Sequence, residues 1–425
     1  MTTAAKRSRT LLRASLTTLV ALLVLVAATS VPAFAAETDA DAVVYTSDVA
    51  PILMQNCVSC HRPGEIAPMS LLTYEESRPW AKSIKKAVST RTMPPWFADP
   101  AHGEWANNPS LTTSEIDTIV AWVDQGARQG DASLMPPAPV FTDGWQLGEP
   151  DFVFSLPTVE IPAEGPDLFP TPITSLQIPE RRWVRAVEVR PEDPEVNHHQ
   201  VIFMTGREAI REQGYFNILA VWAAGTAPTV FPEGAGRWVN PGDLLVLNQH
   251  YHPNGVDART DTTRVGLYFG EGELEDEIQA ILAGTMDFKI PAGAENHELV
   301  VTHEILADSK IISYFPHMHL RGKDMTFTAT YPDGTREVLL NVPSYDFDWQ
   351  LFYYPKEPKF LPKGTQIEIL AHYDNSSANV NNPDPTRTIG FGLKTTDEMM
   401  FGVFELIEEK SEAEEEEAET ATASG

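Results

Sequence analysis

The sequence predicts a multidomain α + β chain: a small all-α domain near the N-terminus, then two all-β sandwiches. Three observations lead there. Apolar residues recur at helical spacing in the first third, as in Ile116, Ile119, Val120 and Val123. A Pro-rich stretch, Met135 to Val140, ends that texture. Beyond it the chain reads as many short alternating strands between Gly and Pro turns, the pattern of packed antiparallel sheets.

The chain opens on an export signal, residues 1–35. Lys6, Arg7, Arg9 and Arg13 form a positive region, Leu16 to Ala28 an apolar one, and Ala33-Phe34-Ala35 a small-x-small cleavage site. The apolar run is short beside the roughly 20 residues that a span needs, and Pro32 follows it, so cleavage after Ala35 is favoured over an uncleaved anchor. No later segment is apolar enough to cross a membrane. The expected location is periplasmic or extracellular, with no transmembrane anchor after cleavage. The formal net charge of -29 excludes nucleic acid as a partner, because phosphate contacts need basic surface. Part of that charge sits in residues 410–425, a Glu-rich run that repels itself and is expected to be a solvated tail.

Residues 42–135 form the all-α domain. Thr46 to Asn56 and Glu76 to Thr90 read as helices, and Thr112-Thr113-Ser114-Glu115 is a capping box opening a third. At the end of the first helix stands Cys57-Val58-Ser59-Cys60-His61, the only two cysteines of the chain with an adjacent histidine. C-x-x-C-H is the attachment pattern of one covalent c-type haem: two thiols add to the vinyl groups and the histidine binds the iron. A thioredoxin-like redox pair needs a βαβ setting, and a zinc site needs a second cysteine pair; neither is present. A methionine is expected as sixth ligand. Met93, in the rigid loop Thr92-Met93-Pro94-Pro95-Trp96, is favoured over Met69, and a gap-filling role in the core is the plain alternative for both. The domain resembles the class I c-type cytochromes.

The β part divides into residues 141–285 and 286–409. Trp183 to Val189, His297 to His303 and Met325 to Tyr331 alternate, and Tyr331-Pro332-Asp333-Gly334-Thr335 is a hairpin turn leading into Glu337 to Val342.

His198, His199, His250, His317 and His319 fall in three tight contexts: Asn197-His198-His199-Gln200, Asn248-Gln249-His250-Tyr251-His252 and Phe315-Pro316-His317-Met318-His319. His317 and His319 share a strand face and can share a metal. His198 and His199 are neighbours and face opposite ways unless the strand is bulged or ends there. Any one histidine alone is more simply a surface or hydrogen-bonded group. Together they point to metal, and spacing alone leaves copper and zinc both open.

The order His-His, Gln-His-Tyr, His-x-His and then Thr396-Asp397-Glu398-Met399-Met400 resembles the type II, ascorbate-dependent copper monooxygenases. That family includes the peptidylglycine α-hydroxylating and dopamine β-hydroxylating enzymes, and the resemblance spans about residues 145 to 407. It implies two jelly-roll-like sandwiches and two coppers. His198, His199 and His250 match the site that stores and passes an electron. His317, His319 and Met399 match the site where molecular oxygen binds and an activated C–H bond is hydroxylated, the second oxygen atom leaving as water. Met400 is the fallback for Met399, and His252 lies beyond the matched position. A soft thioether favours Cu(I), the form that reacts with oxygen.

Two departures matter. Phe315, Phe401 and Val403 stand where the peptide-amidating members hold a peptide carboxylate, so a small apolar or aromatic substrate is expected. The attached haem suggests that electrons reach the three-histidine copper through it, from ascorbate or a redox protein. The leading expectation is an exported haem- and copper-containing monooxygenase. The alternative is a non-catalytic electron-transfer or copper-binding protein. A zinc hydrolase is weakened by the absence of a general-base carboxylate as in H-E-x-x-H.

Overall fold

The computed structural model describes residues 42–142, 144–205, 217–224 and 226–410. Residues 1–35, expected to be an export signal, and nearly all of the expected acidic tail lie outside the described residues. The described chain is mostly β-sheet, with few helices. Among the described residues no helix is long and apolar enough to cross a membrane.

The helices gather in residues 45–134. A π-helical turn, Tyr45–Val49, runs into Ala50–Asn56, with Pro51 in the first turn where its missing N–H costs nothing. The helix expected over 76–90 is broken in two. Thr73 and Glu76 make a capping box that starts Tyr74–Ser77, and Ala81–Ser89 follows a 3-10 turn at Arg78–Trp80. Pro79 explains the break, since it cannot donate to the preceding turn. The Thr112–Glu115 box forms as expected and opens Thr113–Asp124. Tyr45, Leu53, Leu71, Ile84, Ile119 and Trp122 close this small core.

Three large sheets and two two-stranded ones make up the β part among the described residues. One four-stranded sheet orders Ile173–Ser175, Leu244–Tyr251, Asn197–Thr205 and Asn217–Ala223. A second orders His297–Glu304, Gln366–Tyr373, Gly322–Thr330 and Arg336–Val342. Each packs on one half of a long sheet ordered Phe152–Ser155, Arg264–Phe269, Arg182–Arg190, Ala235–Val239, Asp276–Gly284, Phe401–Glu408, Ser309–His317 and Lys359–Leu361. In the first half, Val184, Val187 and Leu267 meet Ile202, Leu245 and Leu247. In the second, Tyr314 and Phe404 meet Phe327, Ile367, Ile369 and Tyr373. Burying such side chains contributes about 1.5–3 kcal/mol each.

The expected division near 285 falls just after Asp276–Gly284. That strand runs parallel to Ala235–Val239 on one side and pairs from Ile278 to Gly284 with Phe401–Glu408 on the other. The halves are therefore joined through a continuous ladder and not by a linker. A buried pair, Arg237 and Glu405 at 2.5 Å, bridges the join, and Ser313 donates to the same carboxylate. Val201, Ile218, Phe315, Phe352 and Val403 form an apolar seam beside it.

The helical part is clamped to the second half by residues 96–107. Trp105 is buried, with ring centroids 5.9 Å from Tyr314 and 5.7 Å from Tyr353. Trp96 lies 4.8 Å from Tyr353. Backbone bonds from Asp99 to Asn341 and from Ala106 to Tyr354 reinforce the contact.

Candidate functional site

His199 and His250 are direct cross-strand partners on Asn197–Thr205 and Leu244–Tyr251. The register slips between Asn197 and His199, so His198 sits in a bulge. A bulge re-aims one side chain, and here it brings the His198 ring round to its neighbours. Ring centroids of His198 and His250 lie 4.7 Å apart, and those of His199 and His250 5.1 Å apart. One ligand atom from each of the three histidines falls within 4.8 Å of the others.

The Nδ1 atoms of His198, His199 and His250 are all buried without a hydrogen-bond partner. Nature rarely buries an unpaired polar atom, because desolvation costs about 1–3 kcal/mol each. A cation bound between them would satisfy all three at once. The tautomer of His250 agrees. Its Nε2–H donates to Asp167 Oδ2 at 2.7 Å, which leaves Nδ1 as a free lone pair. Burial, with neighbouring histidines, pushes His198 down to about 3 and His199 well below the ordinary value, so both stay neutral and able to ligate.

The second set is assembled from Ser309–His317 and the turn before Phe401–Glu408. His317 Nε2 lies 3.3 Å from Met399 Sδ. His319 Nε2 is buried and unpartnered. Both rings are oriented by their other nitrogen. His317 Nδ1–H donates to Gln350 Oε1 at 2.6 Å, and His319 Nδ1–H donates to the Asp397 carbonyl at 3.3 Å. Burial pushes His317 down to about 4 and His319 to about 3. Glu398, fully buried and pushed up to about 8 by that burial, accepts backbone N–H groups from His319, Arg321 and Met399. It ties the His-x-His segment to the methionine. Two nitrogens and a thioether form a soft set suited to reduced copper, whereas zinc is held by nitrogen, oxygen or thiolate.

Phe347 stands between the two sets, 5.7 Å from His199 and 6.0 Å from His319. Gln350 spans them as well: its Nε2 lies 3.3 Å from His199 Nε2. With His199 Nδ1 as ligand, that Nε2 carries the proton, so this nitrogen–nitrogen approach is a packing contact. Of the three positions expected to face substrate, Phe315 and Val403 are closed into the apolar seam between the halves. Phe401 is half-buried, 6.4 Å from the His317 ring, and Phe203 lies at the same distance on another side.

Cys57 caps the C-terminal end of the Ala50–Asn56 helix, and His61 N–H returns to the Cys57 carbonyl at 2.9 Å. That helix end is the negative one, and burial pushes the Cys57 thiol up to about 12. Both features are the reverse of what an attacking thiolate needs. His61 Nδ1–H donates to the Met69 carbonyl at 3.3 Å, leaving Nε2 free. Cys57, Cys60, His61 and Met93 line a cavity of about 420 Å³, within the roughly 300–1,000 Å³ of cofactor pockets. Met69 packs against the helical core instead.

The same cavity is also lined by Asp167, His198, His250, His252 and Trp349. The C-x-x-C-H segment and the three-histidine cluster thus open onto one space. The sequence named the histidines but not Asp167, Gln350, Trp349 or Phe347, which lie in loops with no motif around them.

No protein-family model matches the chain, and no curated protein matches it. Solved structures show a faint likeness. PBCV-1 VP54, fitted into a cryo-EM reconstruction of the virophage Sputnik, has 7% identity and a TM-score of 0.20, over 63% of this chain and 95% of that one. The PBSX exported protein XepA has 10% identity and a TM-score of 0.16, over 57% and 92%. The infectious bursal disease virus Gx strain structure has 8% identity and a TM-score of 0.18, over 62% and 74%. Scores of this size assign neither a fold family nor an activity.

Proposed function

We propose that the chain is an exported haem- and copper-containing monooxygenase that hydroxylates an activated C–H bond with molecular oxygen. One c-type haem is held by Cys57, Cys60 and His61, with Met93 as sixth ligand. One copper is held by His198, His199 and His250, and a second by His317, His319 and Met399. The reading rests on one observation above others. The first cluster presents three buried nitrogens without partners, and the second presents one, on His319, beside the contact of His317 Nε2 with a thioether.

Bound in these places, haem and copper supply one-electron transfer and oxygen activation. The chain's own residues do the rest. Asp167, Gln350 and the Asp397 carbonyl fix which nitrogen of His250, His317 and His319 faces inward. Glu398 holds His319 and Met399 in register. Phe203, Phe315 and Phe401 surround His317 and keep water from it. The same aromatic surroundings favour a small apolar or aromatic substrate, and the attached haem favours an external donor such as ascorbate or a redox protein.

A non-catalytic electron-transfer or copper-binding protein is the second reading. It is favoured by the closure of the second set, where His317 and His319 are buried and Met399 is 8% exposed. Metal analysis with an optical spectrum under dithionite is the first test. One iron and two coppers per chain, with sharp reduced c-type bands, are expected. Haem without copper, even after Cu(I) is offered, overturns the oxygenase. Oxygen uptake coupled to hydroxylation of added substrates then separates the two readings.

A further inference from the structure

His252 has no part in either metal set, yet it is placed with care. Its side chain is 62% exposed and lines the cavity that Cys57, Cys60 and His61 also line. Its Nδ1–H donates to Asp167 Oδ1 at 2.7 Å, and the other oxygen of that carboxylate accepts from His250 Nε2 at 2.7 Å. A ring in the cavity is thus joined to a ring of the three-histidine cluster by one carboxylate and two short, charge-assisted hydrogen bonds. His250 is held further by Phe169, stacked on it at 4.5 Å. His198 and His250 also reach the cavity lining themselves, and the Trp349 ring meets His198 edge-on at 5.2 Å. That contact crosses a van der Waals gap. Electronic coupling decays less along covalent and hydrogen-bonded links than across such a gap.

The geometry points to His252–Asp167–His250 as the relay by which an electron enters the three-histidine copper from the haem. The inference rests on the haem- and copper-binding reading above. The step is a single electron transfer. Ferrous haem iron becomes ferric, and Cu(II) in the three-histidine set becomes Cu(I). No bond forms or breaks, and His252, Asp167 and His250 would carry the coupling without being oxidised or reduced themselves. His252 and Asp167 are therefore positioning residues.

The test is anaerobic stopped-flow on the full-length, haem- and copper-loaded protein. Ferrous haem is generated beside Cu(II), and its oxidation is followed at the c-type absorption bands. In His252→Ala the rate is expected to fall about ten- to a hundredfold, the range for loss of a group that supports a metal ligand. Copper content, the Cu(II) magnetic resonance signal and the haem spectrum should stay those of the wild type. His252 is exposed, so its removal leaves the fold intact. Asp167→Asn should slow the same step, because an amide has one acceptor oxygen for the two ring N–H donors and one link of the bridge is lost, with copper content measured beside it because Asp167 also orients His250. Trp349→Phe should leave it unchanged. Wild-type rates in both His252→Ala and Asp167→Asn, with slowing in Trp349→Phe, overturn the relay in favour of the Trp349 contact. Haem that stays reduced in the copper-loaded wild type overturns the haem-coupled reading itself, and the relay with it.

Discussion

The Oε1 atom of Gln350 lies 2.6 Å from Nδ1 of His317, and that contact decides which nitrogen of His317 faces Met399. Gln350 comes from a loop wedged between the two clusters, so one amide sets the chemistry of a ligand on a distant strand. Gln350→Leu leaves a buried N–H without an acceptor. The expected cost is about 1–3 kcal/mol of stability. Copper affinity at the second site should fall about ten- to a hundredfold while the first is unchanged. Denaturant unfolding and copper titration read the two effects separately.

Metal-free protein should lose stability on mild acidification. Burial holds His198 and His319 at about 3 and His317 at about 4, against an ordinary value of 6.5. Below pH 6.5 the unfolded chain takes up protons that the folded chain refuses, so stability falls as pH falls through that window. Above it these groups add no slope. Urea midpoints of metal-free protein measured down to about pH 4 check the sign, and a flat profile contradicts it.

Arg237 and Glu405 are both almost fully buried where the two halves share a sheet, and an Arg237 N–H also reaches the Ile218 carbonyl. Removing one partner leaves a charge buried alone. Arg237→Ala is expected to cost about 3–5 kcal/mol, and Glu405→Ala a similar amount. The double variant should cost far less than the sum. Additive losses in a double-mutant cycle would show that the pair is not coupled.

Trp105→Ala should be among the most damaging single changes in the helical part, at about 3–5 kcal/mol. Its ring is the anchor of residues 96–107 against Tyr314 and Tyr353. Limited proteolysis should then cut within that segment before it cuts the sheets. Wild-type resistance would contradict its role as a clamp.

Several residues of the candidate site could be named from the sequence because they fall in local motifs. Cys57, Cys60 and His61 form one motif, and His317 and His319 stand two apart, although the strand ends at His317 and His319 is placed by Glu398 and the Asp397 carbonyl beyond it. His198 and His199 set a condition, a bulge, that the register meets. What stayed hidden is contributed over long distances. Asp167 meets His250, and Gln350 meets His317, only because loops cross between sheets. The same holds for the pairing of Asp276–Gly284 with Phe401–Glu408, which no local periodicity encodes. The helix expected over 76–90 was a local failure. Pro79 and the capping box at Thr73 were both in view and outweighed the apolar spacing.

The clamp made by Trp96 and Trp105 carries one more consequence. It fastens the segment that leads from Met93 to the same half of the molecule as His317 and His319. On the proposed function, donor and acceptor are then held at a set separation, and no swinging arm has to carry charge between them. Reduction of the cluster should be insensitive to solvent viscosity, unlike a shuttling carrier that must diffuse between stations.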